Sequence, residues 1–504
     1  GASDPVLKFT RKADVTYLGL FLTIAMAGVL RFSEPAQWPV FLDESICIIN
    51  VLEMSARGWP DCLLVPASNS GKPPLVYLSQ WGVANWVGDP LIAGRLLSAG
   101  AGVASTLLCF FLSRPLVGSS GGLLTAAAYA VSPLAVLHER MALQDGLMST
   151  FALAAFLAMR GAIHRRSLAL AIAGALLGAG AVQMKTPGLA TAAAPLILLF
   201  SRFVSGMAVK DRLVLAVVSC LGPLVSFTAL VVSPLGPGVL RQNAERTKLF
   251  SNLLVNVGHL QDAFLTYFPA GMAFFVLAGL ILAFRERRQE GLALVVMILV
   301  WTVPWLILSN FAPSRYYLPA VPFAYALATI AVFRFAEKAR SRHRLGLKLV
   351  AAMTLIVLVA SGVDSAKLVT AHHSAALSKL DDWQYRSGWP SGYAYAEAAA
   401  FLDEVTSPDS AVAYVVDPQH RVGVGYYRPL RSGARRLGLF KPTDQLPREE
   451  SDLFIVVDDT RRTKPGQRLD QLLANEPRLE VLARFPRLGS EEALYVLRLA
   501  VSHD

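Results

Sequence analysis

Charged residues are scarce in this sequence of 504 residues. Lys, Arg, Asp and Glu together make up 16% of it, whereas hydrophobic residues make up 54%. Soluble globular domains contain about a quarter charged residues, so the composition excludes an ordinary soluble protein along the whole chain. The net charge of +11 is concentrated in short clusters between long apolar runs. That pattern indicates membrane topology and argues against nucleic acid as a partner.

Cysteine is also rare, and the four cysteines do not have the spacing of a zinc site. Cys109 and Cys220 lie inside apolar runs, where we expect small core residues. Cys47 and Cys62 share the first loop after the first apolar run, where an oxidising compartment would permit a disulfide. The sequence leaves that bond open, because nothing in it fixes the distance between the two residues.

Long apolar runs are abundant. A membrane-spanning helix needs about 20 mostly apolar residues, and eleven runs reach or approach that length. They are residues 15–32, 91–113, 119–137, 142–159, 167–184, 187–203, 212–233, 263–284, 291–310, 317–335 and 346–363. These runs predict an α-helical polytopic membrane protein with eleven transmembrane helices.

Positive clusters predict the orientation of these helices. They lie before the first run, after the fourth, between the sixth and seventh, after the eighth, and between the tenth and eleventh. All fall on one side if every run crosses the membrane, and positive charge favours the cytoplasmic side. We therefore expect a bacterial inner-membrane protein with a cytoplasmic N-terminus and an outer C-terminus. No signal-type cleavage site follows the first run, so we expect it to be a span.

Three segments outside the predicted spans are long. The loops are residues 33–90 and 234–262, and the third segment is residues 369–504. The predicted organisation is therefore a transmembrane domain over residues 1–368 and an extracytoplasmic domain over residues 369–504. The latter has helical patterns at 396–405 and 468–475 and strand patterns at 411–416, 453–458 and 493–499. Strands that alternate with helices indicate a small soluble α/β domain.

Two adjacent carboxylates, Asp43 and Glu44, follow the first span in an apolar stretch. Carboxylates in apolar surroundings are costly, so a catalytic task is one reason for their presence. The alternative is that they cap an interfacial helix that begins at Ser45, and both roles can hold together.

Ionisable residues also recur where the predicted spans end on the outer side. Most are cations on the side that the positive-inside rule disfavours, and together they could bind a phosphate near the outer leaflet. The alternative for each single cation is an interfacial anchor. The set comprises Lys72, Glu139, Arg140, Asp145, Lys185, Arg241, Arg246, Lys248 and Arg315.

Five short motifs resemble, in order, those of the GT-C integral-membrane glycosyltransferases that use polyprenyl-phosphate sugars. The nearest branches are the protein O-mannosyltransferases and the bacterial lipid A aminoarabinose transferases. The motifs are Leu-Asp-Glu-Ser at 42–45, Gly-Lys-Pro-Pro-Leu at 71–75, Glu-Arg-Met-Ala-Leu-Gln-Asp at 139–145, Met-Lys-Thr-Pro-Gly-Leu at 184–189 and Arg-Tyr-Tyr-Leu-Pro-Ala-Val-Pro at 315–322. Two departures, Gly71 before the Lys and Thr186-Pro187 before Gly188, leave the sugar and the acceptor open.

The resemblance implies a transferase with a GT-C fold that moves a sugar, with inversion, to a lipid, glycan or protein acceptor. Asp43 would be the general base, with Glu44 beside it, and Asp145 would orient Lys72 or a donor hydroxyl. A divalent metal, Mg or Mn, between Asp43 and Asp145 is an open alternative. The residues implied for the donor phosphate are Lys72, Lys185, Arg246, Arg315 and Tyr316. The further site candidates are Glu139, Arg140 and Lys248.

A lipid or glycan transporter, such as a flippase, is the alternative function. It predicts ionisable residues in the middle of spans and internal inverted repeats. The apolar runs of this chain are nearly free of such residues, which favours the transferase. The oligomeric state stays open.

Overall fold

The computed structural model describes residues 5–66, 72–195, 208–247, 249–286, 289–342, 344–388, 390–415, 435–439, 452–458 and 467–499. The chain divides into two compact units. The first unit contains Gly1–Pro35 and Asn50–Ser378, and the second contains Ala36–Ile49 and Lys379–Asp504. The segment that carries Asp43 and Glu44 therefore belongs to the second unit, together with the C-terminal region.

Long helices make up most of the chain before the C-terminal region. They are α1 (Pro5–Phe32), α2 (Leu42–Arg57), α3 (Leu75–Val87), α4 (Pro90–Ala130), α5 (Pro133–Glu139), α6 (Gln144–Arg165), α7 (Leu168–Met184), α8 (Val209–Val232), α9 (Gly236–Arg246), α10 (Leu253–Tyr267), α11 (Ala270–Arg285), α12 (Gln289–Leu308), α13 (Val321–Arg342) and α14 (Arg344–Thr370). Short 3₁₀ helices cover Asp61–Leu64, Thr186–Ala192 and Ser314–Ala320.

Seven helices in the described part of the chain are long and apolar enough to cross a membrane: α1, α4, α6, α8, α12, α13 and α14. The pair α10 and α11 would be an eighth span if it is taken as one, and α7 is a shorter apolar helix. The predicted class of polytopic α-helical membrane protein is confirmed. The count of eleven stays a prediction, and residues 196–203 of the sixth run lie outside the described residues.

Helix α4 is a helical hairpin rather than one rod. Val117 and Gly118 leave the helical conformation in its middle. The hydroxyl of Thr125 donates to that of Ser113 over 2.7 Å, whereas a straight helix would separate these residues by roughly 18 Å. The chain therefore reverses at Gly118, and α4 contains the second predicted span and the first part of the third.

Three predicted span boundaries are wrong, and a proline stands at each break. The run 119–137 is interrupted at Ser132, and Pro133 begins α5. The run 187–203 begins as the 3₁₀ helix Thr186–Ala192. The run 263–284 is split between α10 and α11, which meet at 118° beside Pro269. Proline lacks the N–H that a continuing helix needs and restricts the preceding residue, so apolar length alone misplaces these ends.

The second unit contains a five-stranded sheet with strand order β2-β1-β3-β5-β4. The strand β1 pairs in parallel with β2 and β3, whereas β5 runs antiparallel to β3 and β4. The remaining elements are α15 (Lys379–Asp382), a π turn (Trp383–Ser387), α16 (Tyr395–Val405), β1 (Ala411–Val415), β2 (Arg435–Leu439), β3 (Leu453–Asp458), α17 (Gln467–Asn475), β4 (Leu479–Pro486) and β5 (Ala493–Leu499).

The sheet has a buried layer on each face. Helix α16 packs through Tyr395, Ala398 and Leu402 on one face, and Leu472 of α17 packs on the other. The predicted α/β architecture is confirmed, including both helices and three strands. The strands β2 and β4 were not predicted. The residues of β4 are mostly exposed or half-buried, so they form no apolar run.

Candidate functional site

Asp145 is the centre of a buried charge cluster in the first unit. It lies in the first turn of α6, where a carboxylate is favoured by the helix dipole. Its Oδ1 is 2.6 Å from Nζ of Lys185, and its Oδ2 is 3.9 Å from Nε of Arg315. Lys185 follows the last residue of α7, and Arg315 lies in the 3₁₀ helix before α13. Three of the predicted site residues therefore meet.

Two aromatic rings lie beside the Lys185 ammonium group. The Lys185 ammonium lies 4.2 Å from the ring centroid of Tyr316 and 5.8 Å from that of Trp305. The two rings stack with centroids 4.1 Å apart. A cation over an aromatic face is stabilised by the ring quadrupole. Tyr316, a predicted site residue, thus joins the cluster, and the stacked rings restrict where the ammonium group can lie.

Lys72 joins the cluster through Gln144, the residue before Asp145. With the Gln144 amide oriented to satisfy its neighbours, its oxygen accepts from Nζ of Lys72 at 3.2 Å and from the hydroxyl of Tyr77 at 3.0 Å. Its nitrogen donates to the carbonyl oxygen of Met184 at 3.2 Å. One amide therefore connects the segment that carries Lys72 with the turn that carries Lys185.

Three cations of the cluster lie near one carboxylate, that of Asp145. Lys72 is buried, with 9% of its surface exposed, and within the part of the chain that the structure describes it pairs with no carboxylate. Lys185 and Arg315 share the single carboxylate of Asp145. Buried charges are costly unless they are paired. A cluster of this kind is suited to an anionic ligand.

The loop after α9 lies beside the same region of the first unit. Thr247 forms an isolated antiparallel bridge with Ser309, and the N–H of Phe250 donates to Ile307. Both partners are within a few residues of Trp305. Arg246 ends α9, but its side chain and the whole of Lys248 lie outside the described residues. Their predicted contact with the donor phosphate stays a prediction.

Glu139 and Arg140 hold helices together. Glu139 accepts from Nε of Arg31 at 2.7 Å and from the hydroxyl of Tyr129 at 2.5 Å, entirely inside the first unit. Arg140 donates to the carbonyl oxygens of Leu30 and Glu34 at the end of α1. Burial, and then the like charge of Arg95, lowers the pKa of Arg140 to about 10, so it stays a cation at neutral pH. These contacts give both residues a structural role.

Asp43 and Glu44 differ in accessibility within the second unit. Glu44 is fully buried, and its Oε2 accepts the N–H of Phe41 at 3.0 Å. This is the bond that a Glu at the third helical position makes to the N-cap residue. The helix begins at Leu42, three residues earlier than the expected Ser45. Asp43 is partly exposed. Capping thus falls to Glu44, and Asp43 is the more accessible of the two carboxylates.

A divalent metal does not fit the surroundings of Asp145. Its two oxygens face Lys185 and Arg315, and a metal ion there would repel both cations. In the described residues no group of three or more His, Cys, Asp and Glu is placed to ligate a metal.

All four cysteines are free thiols.

Three site residues were missed by the sequence analysis: Tyr77, Gln144 and Trp305. Gln144 lies inside one of the five motifs, but a neutral amide next to Asp145 does not by itself indicate a functional site. Tyr77 and Trp305 resemble ordinary interfacial aromatics in the sequence. All three lie next to charged motif residues in the fold, and the sequence does not show that proximity.

Comparisons with known proteins show which family and which folds the chain resembles. Residues 71–229 match the family described as dolichyl-phosphate-mannose-protein mannosyltransferase. This range includes Lys72, Asp145 and Lys185. A comparison with curated protein sequences found no match.

Solved structures share the fold along the chain. The structure of ArnT from Cupriavidus metallidurans in the apo state has a TM-score of 0.63 at 14% identity and covers 98% of this chain and 99% of its own. The same protein bound to undecaprenyl phosphate has a TM-score of 0.58 at 16% identity and covers 99% of both chains. An oligosaccharyltransferase from Archaeoglobus fulgidus has a TM-score of 0.55 at 14% identity and covers 83% of this chain and 65% of its own.

The protein therefore has the fold of the GT-C integral-membrane glycosyltransferases, followed by an α/β domain. The resemblance found in the five motifs is confirmed at the level of the fold.

Proposed function

We propose that the protein is a glycosyltransferase that moves a sugar from a polyprenyl-phosphate donor to a lipid, glycan or protein acceptor. The observation that carries this proposal is the buried cluster of Lys72, Lys185 and Arg315 around the single carboxylate of Asp145. A phosphate group on a lipid would place negative charge beside Lys72, which pairs with no carboxylate in the described residues. The match to the mannosyltransferase family over residues 71–229 and the fold shared with an undecaprenyl-phosphate-bound protein support this choice of ligand.

The reaction is a single displacement at the anomeric carbon. An acceptor hydroxyl or amine attacks that carbon, and the bond from carbon to the phosphate oxygen breaks. Asp43 accepts the acceptor's proton, and the configuration inverts. The leaving lipid phosphate is a stable anion, so it needs positive charge rather than a general acid, and Lys72, Lys185 and Arg315 supply it. Tyr316 and Trp305 hold Lys185 in place for this task.

Sugar transfer from a panel of prenyl-phosphate sugars in detergent tests the proposal. The wild-type protein should release free polyprenyl phosphate and form a glycosylated acceptor. Asp43→Asn keeps the size of the side chain and removes its basicity, so we expect a rate about 10²–10⁴-fold lower with donor binding retained. Asp470→Asn, on the exposed side of α17, is the matched control. Near-wild-type turnover by Asp43→Asn would remove Asp43 from this role, and lipid movement without bond cleavage would favour a flippase.

We further propose that the reaction takes place at the outer face of a bacterial inner membrane. A cysteine introduced at Ser490, in the turn between β4 and β5, should react with an impermeant thiol reagent in spheroplasts. A cysteine at Ser341, on the exposed end of α13, should react only after the membrane is opened. Labelling of Ser341 alone in intact spheroplasts would reverse the orientation.

A further inference from the structure

The start of α2, which carries Asp43, is fixed by a distant part of the sequence inside the second unit. The N–H of Leu42 donates to the carbonyl oxygen of Pro390 at 3.0 Å. The first N–H groups of a helix have no partner within the helix. Pro390 satisfies one of them from outside, so it sets where the helix begins, one residue before Asp43.

Aromatic packing fixes the same segment from a second direction. The ring of Tyr385 packs edge-on against Phe41 with centroids 4.8 Å apart, and against Trp38 with centroids 6.4 Å apart. All three residues are buried. Gly392 adds a third contact, because a Cβ at this position would overlap the carbonyl oxygen of Val40. Backbone and side chains from residues 383–395 thus enclose residues 38–42.

The 383–395 loop is itself held firmly. The N–H of Gly388 donates to the carbonyl oxygen of Trp383 at 2.7 Å, and the Ser391 hydroxyl donates to the carbonyl oxygen of Arg386 at 2.9 Å. The loop leads into α16, and the buried Tyr395 at the start of that helix belongs to the core of the sheet. The loop, which the structure describes at 383–388 and 390–395, therefore connects the sheet core with residues 38–42.

We propose that the 383–395 loop is a positioning element for Asp43, with Gly392 and Tyr385 as its positioning residues. The inference rests on the proposed role of Asp43 as the general base. A base must lie within hydrogen-bond reach of the proton it accepts, and a shift of about 1 Å can cost about 100-fold in rate. The α/β domain then contributes to the chemistry by fixing the backbone beside the base.

The test compares Gly392→Ala in two backgrounds, the wild type and Asp43→Asn. In the wild-type background we expect kcat to fall about 10–100-fold, with unchanged affinity for the prenyl-phosphate donor, since the donor cations belong to the first unit. In the Asp43→Asn background the same change should cost little more, because its effect acts through the base that is already lost. Gly258→Ala, where a Cβ meets nothing, is the control and should leave kcat unchanged.

Tyr385→Leu keeps the side chain apolar and removes the ring contacts, so the same comparison in two backgrounds can be made with it if Gly392→Ala fails to fold. An equal loss of kcat in both backgrounds, or no loss in either, would overturn the positioning role. Wild-type turnover by Asp43→Asn alone would instead refute the assignment of Asp43, and the inference with it. The two failures therefore give different results.

Discussion

Two buried charge clusters in the first unit are separated by only a few residues of sequence, and they differ in how their charges are matched. At one end of the turn between α5 and α6, Glu139 has a partner for each oxygen, Arg31 and Tyr129. Arg31 also donates to the carbonyl oxygens of Ala130 and Tyr129. At the other end, the carboxylate of Asp145 faces both Lys185 and Arg315, with Lys72 held by the neighbouring amide.

This difference separates structure from function. A cluster whose donors and acceptors match is complete and fixes the packing of α1, α4 and α5. Even the absence of a side chain at Gly102 serves it, because a Cβ there would overlap the Glu139 carboxylate. Lys72 is a buried cation that pairs with no carboxylate in the described residues, and an anionic ligand would stabilise such a charge. Substitutions in one cluster at a time should therefore have different effects, and the largest is expected in the matched cluster.

The largest effect should follow from breaking the Arg31–Glu139 pair. Arg31→Met leaves a buried carboxylate without its cation, and the loss of one partner of a buried pair costs about 3–5 kcal/mol. We expect a large fall in melting temperature and in the yield of monodisperse protein. Arg57→Met removes an exposed ion pair to Glu53, which contributes at most about 1 kcal/mol, and is the matched control.

Removing both charges, in Arg31→Met with Glu139→Leu, should recover part of the stability, because no unpaired charge then remains. Wild-type melting of the single variant Arg31→Met would contradict the structural role of the pair.

The second effect concerns donor affinity rather than stability. Lys72→Met and Lys185→Met keep much of the apolar stem and delete the charge. A hydrogen bond to a charged group contributes about 1.5–3 kcal/mol, so donor affinity should fall about 10–100-fold. The melting temperature of Lys72→Met should change little, whereas Lys185→Met should also lower it, because Lys185 is the closer partner of the buried Asp145 carboxylate. Lys367→Met, at an exposed cation, is the control. Interfacial anchors would instead alter stability and leave donor affinity unchanged in both variants.

Donor affinity can also be measured for a variant of Arg246, whose role in phosphate binding is implied only by the family resemblance. Arg246→Met should weaken donor binding if that residue contacts the phosphate. An unchanged affinity would confine the anion site to the cluster around Asp145.

The sequence was sufficient for the apolar helices, the buried strands and the order of the motifs, because these depend on local periodicity and on residue type. It could not distinguish Glu139 from Asp145, since both are single carboxylates in one short motif. Their different roles depend on Arg31, more than a hundred residues earlier, and on Arg315, much later in the chain. Breaks such as the one at Pro269 were missed because the length of an apolar run does not show where a proline removes a backbone hydrogen bond of the helix.

The third effect tests the amide that joins the two cations. Gln144→Leu removes the bonds to Lys72, Tyr77 and the Met184 carbonyl, so we expect donor affinity to fall about 10-fold. The loss of affinity should not add to that of Lys72→Met, because both substitutions remove the same contact, the one between Gln144 and Lys72. Gln183→Leu, whose amide donates to Ser226, is the control. Fully additive losses would mean that Gln144 does not act through Lys72.

The smallest effect should come from Arg315→Lys, which keeps the charge beside Asp145 and changes only its shape. A guanidinium offers a planar fork of donors that matches two phosphate oxygens, and an ammonium is a point charge. We expect donor affinity to fall about 3–10-fold, with the melting temperature unchanged, since losing part of a charge-assisted contact costs about 1 kcal/mol. Arg334→Lys is the matched control, because Arg334 pairs with Glu286 and Glu337 on an exposed surface of α13. An anchor would tolerate lysine at both positions equally. A selective loss at Arg315, restored by neither higher salt nor added lipid, would assign the fork to the phosphate of the donor.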